Sequence, residues 1–203
     1  MPTEQGKSIA VFCASASGSK PAYLETARDL GSAIAERGYG LVYGGATVGT
    51  MGAVADAALA AGGRVVGVIP GVIIDLEIAH RDLTELHIVG TMHERKALMA
   101  ERSDAFVALP GGYGTLDEFL EILTWAQLRI HNKPCVMVNV GGYYDALLKF
   151  LDRAVEEGML KPQNRGLVQV ACDGSEALEI IEREWSRHAE LPAHDARLDE
   201  LVK

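Results

Sequence analysis

Short apolar runs alternate with segments of helical period along almost the whole chain, and that alternation leaves few folds open. Residues 8–14, 40–43, 64–69, 86–89, 105–109, 135–140 and 166–171 read as strands. Most are short and nearly continuously apolar, the pattern of strands buried on both faces. Between them, residues 21–37, 49–61, 92–101, 116–129, 143–157 and 175–188 repeat apolar side chains at helical spacing. Pro21 stands where a helix can begin, and Thr91 with Glu94 forms a capping-box pattern. Strands alternating with helices predict an α/β fold, a Rossmann-like three-layer sandwich with a central parallel sheet and helices on both faces. No linker, repeat or low-complexity block divides the 203 residues, so they read as one domain with a solvated, flexible tail at 190–203. Residues 72–84, which include Glu77, His80 and Arg81, show no clear period.

In such sheets ligands bind beyond the carboxyl ends of the strands, at a switch in strand order. Two glycine-rich turns lie at strand-to-helix junctions and should face that edge. One runs from Gly44 and Gly45 to Gly49 and Gly52; the other is Pro110-Gly111-Gly112-Tyr113-Gly114-Thr115-Leu116-Asp117-Glu118. A strand, a glycine turn and a helix start make an anion site, because the first N–H groups of a helix have no partner within it and the dipole favours negative charge there. Gly111, Gly112 and Gly114 let the backbone approach a ligand closely, and Thr115 can cap the helix or donate its hydroxyl. Neither turn fits a common fingerprint. Thr50 stands where a P-loop needs lysine, and Asp117 occupies the third glycine position of a dinucleotide motif. A single phosphate suits these turns better, with Glu118 one helical turn beyond it.

A net charge of −9, with no basic stripe, argues against a nucleic-acid partner. No apolar run approaches about 18 residues, so no membrane span is expected. The polar start of the chain lacks the order of a signal peptide. Cys13, Cys135 and Cys172 are widely spaced and contain no CxxC pair, which points to a reducing cytoplasm rather than a disulfide framework or zinc ribbon. His93-Glu94 begins a zinc motif, but Ala97 stands where its second histidine belongs.

The motif Pro-Gly-Gly-Tyr-Gly-Thr-Leu-Asp-Glu, with Met92-His93-Glu94-Arg95-Lys96 upstream, resembles the LOG ("Lonely guy") family of cytokinin riboside 5′-monophosphate phosphoribohydrolases, long labelled "lysine decarboxylase-like". The resemblance extends to Val42 to Gly45, Gly67 to Pro70, Glu77, Thr124 to Leu128 and Asn139 to Tyr144. It implies hydrolysis of the N-glycosidic bond of cytokinin riboside 5′-monophosphates or AMP, releasing free base and ribose 5-phosphate. It carries Arg95 and Glu118 over as a catalytic pair. It also carries over Glu77, Lys96, the turn Gly111, Gly112, Tyr113, Gly114, Thr115, Leu116 and Asp117, and Thr124 as substrate-binding positions. A homodimer with sites completed across its interface is implied as well. Ala14 departs from the glycine usual in the family's first loop.

The residues suit that reaction on chemical grounds. Breaking a glycosidic bond builds positive charge on the ribose. A carboxylate such as Glu118 can stabilise that charge or activate water. Arg95 can bind phosphate in a bidentate manner, or hold Glu118 ionised and oriented. No metal or redox cofactor is needed, and no pyridoxal phosphate site can be picked out. Plainer readings exist for each residue. Asp117, Glu118 and Glu121 could simply complement a helix dipole. Arg95 and Lys96 could be solvated on a surface helix. Gly44 and Gly45 could serve helix–sheet packing, although their place at the strand edge favours nucleotide contact. Leu116, Phe119, Leu120 and Leu123 read as a core-facing stripe, and His80, His87, His131 and His188 as structural. A non-catalytic nucleotide or molybdenum-cofactor-binding protein on the same fold is the alternative function.

Overall fold

The computed structural model describes residues 6–73 and 78–190. Glu77 and the tail expected beyond residue 190 therefore lie outside the described residues. Seven strands form one sheet: β1 (Ser8–Phe12), β2 (Gly40–Tyr43), β3 (Val65–Pro70), β4 (Glu85–Val89), β5 (Ala105–Ala108), β6 (Cys135–Val138) and β7 (Val168–Ala171). Their order across the sheet is β4-β3-β2-β1-β5-β6-β7, and every pairing is parallel. In register, Ile9 of β1 lies between Leu41 and Ala105. Among the described residues the helices are α1 (Pro21–Glu36), α2 (Gly49–Ala60), α3 (Met92–Glu101), α4 (Tyr113–Gln127), α5 (Asp145–Glu156), α6 (Pro162–Arg165) and α7 (Gly174–Glu190).

Alternate residues of each strand feed two cores. Ile9, Val11, Leu41, Tyr43 and Val107 pack with Leu30 and Ile34 of α1, Val54 of α2 and Leu178 of α7. Ala10, Phe12, Val42, Val68 and Phe106 pack with Met99 of α3, Phe119 and Ile122 of α4 and the half-buried Leu147, Leu148 and Leu151 of α5. The result is the expected three-layer sandwich. Phe119 is fully buried, and Phe119→Ala should cost about 3–5 kcal/mol in denaturant unfolding; a loss under about 1 kcal/mol would deny it a core role.

Local signals hold with small shifts. Pro21 opens α1. Thr91 accepts the Glu94 N–H, but the Glu94 carboxylate reaches the N–H of Gly90, one residue before the position a capping box uses. The helix expected from Leu116 begins instead at Tyr113, because the glycines join its first turn. Thr115 consequently does not cap it; Gly112 stands at the N-cap. Leu120 is largely exposed rather than core-facing, and Ile122 takes the buried position. The last helix continues through Glu190, and the four-residue α6 was not expected, although Pro162 stands at its start.

The order of strands places the site. β1 has β2 on one side and β5 on the other, so the chain leaves β1 toward β4 and then returns across the sheet through α3. The crevice of such a reversal opens beyond the carboxyl ends of β1 and β5.

Candidate active site

The wall after β2 is tied down from two directions. Thr50, buried in the first turn of α2, accepts the Ala14 N–H (2.9 Å) and donates to the Ala14 carbonyl (3.1 Å), fixing the loop after β1. The Gly45 carbonyl accepts the His80 N–H, and Thr47 donates from both its N–H and its hydroxyl to the Ile78 carbonyl. His80 Nδ1 accepts the Asp82 N–H, so its Nε2 carries the proton and donates to Asp56 at 2.9 Å. That makes His80 a strut of this loop, as its isolation in sequence suggested.

Arg95 enters this wall from α3. It is not a solvated surface residue: only 4% of it is exposed. Its Nε donates to the Val68 carbonyl (3.1 Å) and its Nη2 to the Gly44 carbonyl (2.9 Å), which joins α3 to the ends of β2 and β3. Gly44 has no room for a side chain. A Cβ there would collide with Arg95 Nη2 and lie 2.9 Å from Met51 Sδ. Glu118, also buried, comes from α4 and sets Oε1 3.9 Å from Arg95 Nε. Beside them, burial pushes the Cys13 thiol pKa up, and the negative charge of Glu118 pushes it further. Cys13 is therefore a neutral wall of the crevice.

The third wall is the turn after β5. The first bond within α4 runs from Leu116 N–H to the Gly112 carbonyl (3.1 Å), so the N–H groups before Leu116 lie in the unpaired first turn. A Cβ on Gly111 would strike the Thr115 hydroxyl, whereas nothing lies within 4 Å of one on Gly112 or Gly114. The turn is thus packed underneath and open above. Thr115 is 2% exposed, and among the described residues its Oγ1 has no hydrogen-bond partner. Tyr113 projects into solvent, and Leu116 is half-buried against the second core.

Lys96 is buried too, and turns away from Arg95. Its Nζ lies 3.0 Å from both Asp117 and Glu121, one turn apart on α4. Burial alone would lower its pKa, but Glu121 and Asp117 outweigh that and the net direction is upward. Lys96 therefore stays charged and staples α3 to α4. Thr124 stands apart. It follows Glu118 by six residues, about 9 Å along the axis and about 240° around it, and its hydroxyl donates to the Leu120 carbonyl. The structure thus brings together Gly44, Gly45, Arg95, Glu118 and the 111–117 turn, sets Lys96 behind them, and leaves Thr124 on the exposed flank of α4. Two residues escaped individual notice, Tyr143 and Tyr144; their hydroxyls donate to the Gly111 and Leu109 carbonyls (2.8 and 2.6 Å). Their sequence signal is an aromatic pair directly after two glycines at the end of β6.

Known proteins share this fold and much of this sequence. The family model described as "Possible lysine decarboxylase" matches residues 51–181. The cytokinin riboside 5′-monophosphate phosphoribohydrolase LOG7 of Arabidopsis thaliana is 49% identical over 176 residues, covering 87% of this chain and 81% of its own. LOG1 of the same plant, with the same printed activity, is 47% identical over 182 residues, covering 90% and 85%. Among solved structures, the Moco carrier protein of Chlamydomonas reinhardtii superposes with a TM-score of 0.67 at 25% identity, covering 90% of this chain and 99% of its own. With its sheet, its two glycine turns and its relatives in agreement, the chain belongs to the LOG family.

Proposed function

We propose that the protein hydrolyses the N-glycosidic bond of cytokinin riboside 5′-monophosphates, AMP or both, releasing free base and ribose 5-phosphate. One observation carries this reading. The Thr115 hydroxyl, without a partner among the described residues, and the Glu118 carboxylate are both buried, and they stand three residues apart on one face of α4. A phosphate held at the helix start, by Thr115 and the free N–H groups of the first turn, leaves the ribose over Glu118.

In the reaction the bond from the anomeric carbon to the base nitrogen breaks. Its electron pair leaves with the base, which takes up a proton, and the ribose passes through an oxocarbenium-like state. Glu118 faces that positive charge and takes a proton from the water whose oxygen bonds to the anomeric carbon. The side-on fork of Arg95 is spent on two backbone carbonyls. This supports positioning and charge-balancing of Glu118 over bidentate capture of phosphate. Gly44 and Gly45 shape the neighbouring wall, Lys96 serves the substrate-binding set from behind by holding Asp117 of the turn, and Glu77 completes it.

A homodimer belongs to the same reading. Thr124 shares the outer side of α4 with Leu120 and Leu128, which are 38% and 62% exposed, so a second copy covering that side would bring Thr124 to a site. One domain, a cytoplasmic setting and no nucleic-acid or membrane partner complete the proposal. The unpaired cysteines and the net charge of −9 support it, and no described helix is long and apolar enough to cross a membrane.

The test is incubation with AMP and with isopentenyladenosine monophosphate, followed by chromatographic detection of free base. Release from at least one is expected, and adenosine, lacking the phosphate, should react much more slowly. Equal rates for AMP and adenosine would remove the phosphate anchor. Tight nucleotide binding with no base release would favour a carrier, the function named for the Chlamydomonas structural relative.

A further inference from the structure

The turn after β5 is held open from behind by a segment the proposed chemistry does not use. β6 ends at Val138 and is followed by Asn139, a 3-10 turn (Val140–Gly142) and then Tyr143 and Tyr144. Gly141 and Gly142 take positive φ values of 56° and 77°, which side-chain-bearing residues rarely adopt. The bend is locked by Asn139, which accepts the Tyr144 N–H and donates to Asp145, both at 2.7 Å. Tyr143 then stands edge-on to Tyr144, with centroids 4.9 Å apart, and to Tyr23 of α1, at 5.6 Å. Its hydroxyl donates to the Gly111 carbonyl at 2.8 Å.

That bond fixes more than a carbonyl. The peptide joining Gly111 to Gly112 is planar and trans, so its C=O and N–H point in opposite directions. Holding the carbonyl toward Tyr143 therefore turns the Gly112 N–H the other way, away from Tyr143. Glycines at 111 and 112 cannot enforce this themselves, because their dihedrals are the least restricted of any residue. Tyr144 plays a different part. Its hydroxyl donates to the Leu109 carbonyl, whose peptide continues into Pro110 and so has no N–H to aim, and it also bonds the Gly111 backbone, one peptide before the one that Tyr143 orients.

We propose that Tyr143 is a positioning residue for the phosphate anchor: by holding the Gly111 carbonyl it aims the Gly112 N–H at the 5′-phosphate of the substrate. The inference rests on the phosphate-binding reading above, and it concerns affinity for the phosphate rather than bond cleavage.

The test compares wild type with Tyr143→Phe, which removes one hydroxyl and keeps the ring contacts. Titration calorimetry with ribose 5-phosphate should give a Kd raised about three- to tenfold, the usual worth of one hydrogen bond. KM for AMP should rise by the same factor, kcat at saturation should stay within about twofold, and the slow reaction of adenosine should be unchanged. An unchanged Kd for ribose 5-phosphate overturns the proposal. So does a lowered melting temperature with equal losses on AMP and adenosine, which is what a merely structural tyrosine would produce. The wild-type arm separates the two claims. If wild type releases no base from any nucleotide, the hydrolase reading fails, and the ribose 5-phosphate titration still decides the role of Tyr143.

Discussion

Glu118→Gln should lower kcat for base release by about 10²–10⁴-fold, the usual contribution of a general acid–base group, while Kd for AMP changes little. The substitution keeps the shape of the side chain and removes its charge. The Arg95 guanidinium keeps its bonds to the Val68 and Gly44 carbonyls, so the wall that supports Glu118 should survive. The proposed phosphate anchor lies one turn earlier on α4 and is untouched. What is lost is the negative charge that would face the oxocarbenium-like ribose and accept the water proton. Rapid-quench detection of free base, beside equilibrium binding of AMP, separates the two effects. If the variant turns over at the wild-type rate, Glu118 has no part in the chemistry. If it neither binds nor turns over and melts early, the carboxylate is a structural partner of Arg95 instead.

The architecture was readable from the chain because parallel strands covered on both faces are nearly continuous apolar runs. Ser8–Phe12 and Ala105–Ala108 show this plainly. The order in which those strands lie was not readable, since each apolar run looks the same to its neighbours; only the general rule that ligands sit at a reversal survived. The start of α4 is hidden because the glycines of 111–114 read as a loop, although Gly112 caps the helix and the backbone of Tyr113 and Gly114 completes its first turn. Arg95 and Lys96 expose the deeper limit. By residue type they belong in solvent, yet both are buried. Their partners are a carbonyl 27 residues away and another 51 away for Arg95, and two carboxylates on a different helix for Lys96. No local pattern can reveal such bonds. Family motifs pointed to these positions without the physical reason, which is that α3 crosses beneath the ends of β2 and β3 and must satisfy carbonyls there. The role of Tyr143 is hidden for a similar reason, because it depends on where β6 ends relative to β5.

Gly44→Ala should reduce kcat on AMP by about 100-fold, the penalty expected when a catalytic arrangement is displaced by roughly 1 Å. The reason is close contact rather than backbone freedom. The new methyl group would occupy the space of Arg95 Nη2 and press on Met51 Sδ. Gly44 directly follows Tyr43, the last β2 residue paired with β3, and its other neighbour Gly45 accepts the His80 N–H, so the backbone cannot readily retreat. Arg95 must therefore swing off the Gly44 carbonyl, and the positive charge beside Glu118 moves with it. Two consequences should appear together. Turnover falls, because Glu118 loses the guanidinium 3.9 Å away that fixes its place. Stability falls modestly, by about 1–3 kcal/mol, because a buried carbonyl and part of a buried guanidinium lose their partners. Affinity for ribose 5-phosphate should hold, since Thr115 and the α4 turn lie on a separate wall. This last measurement makes the prediction sharp. If Gly44 itself lay against the phosphate, affinity for ribose 5-phosphate would fall along with turnover. If both quantities stay at wild-type levels in a folded variant, the site tolerates a displaced Arg95, and neither its guanidinium nor the glycine that makes room for it can be needed for bond cleavage.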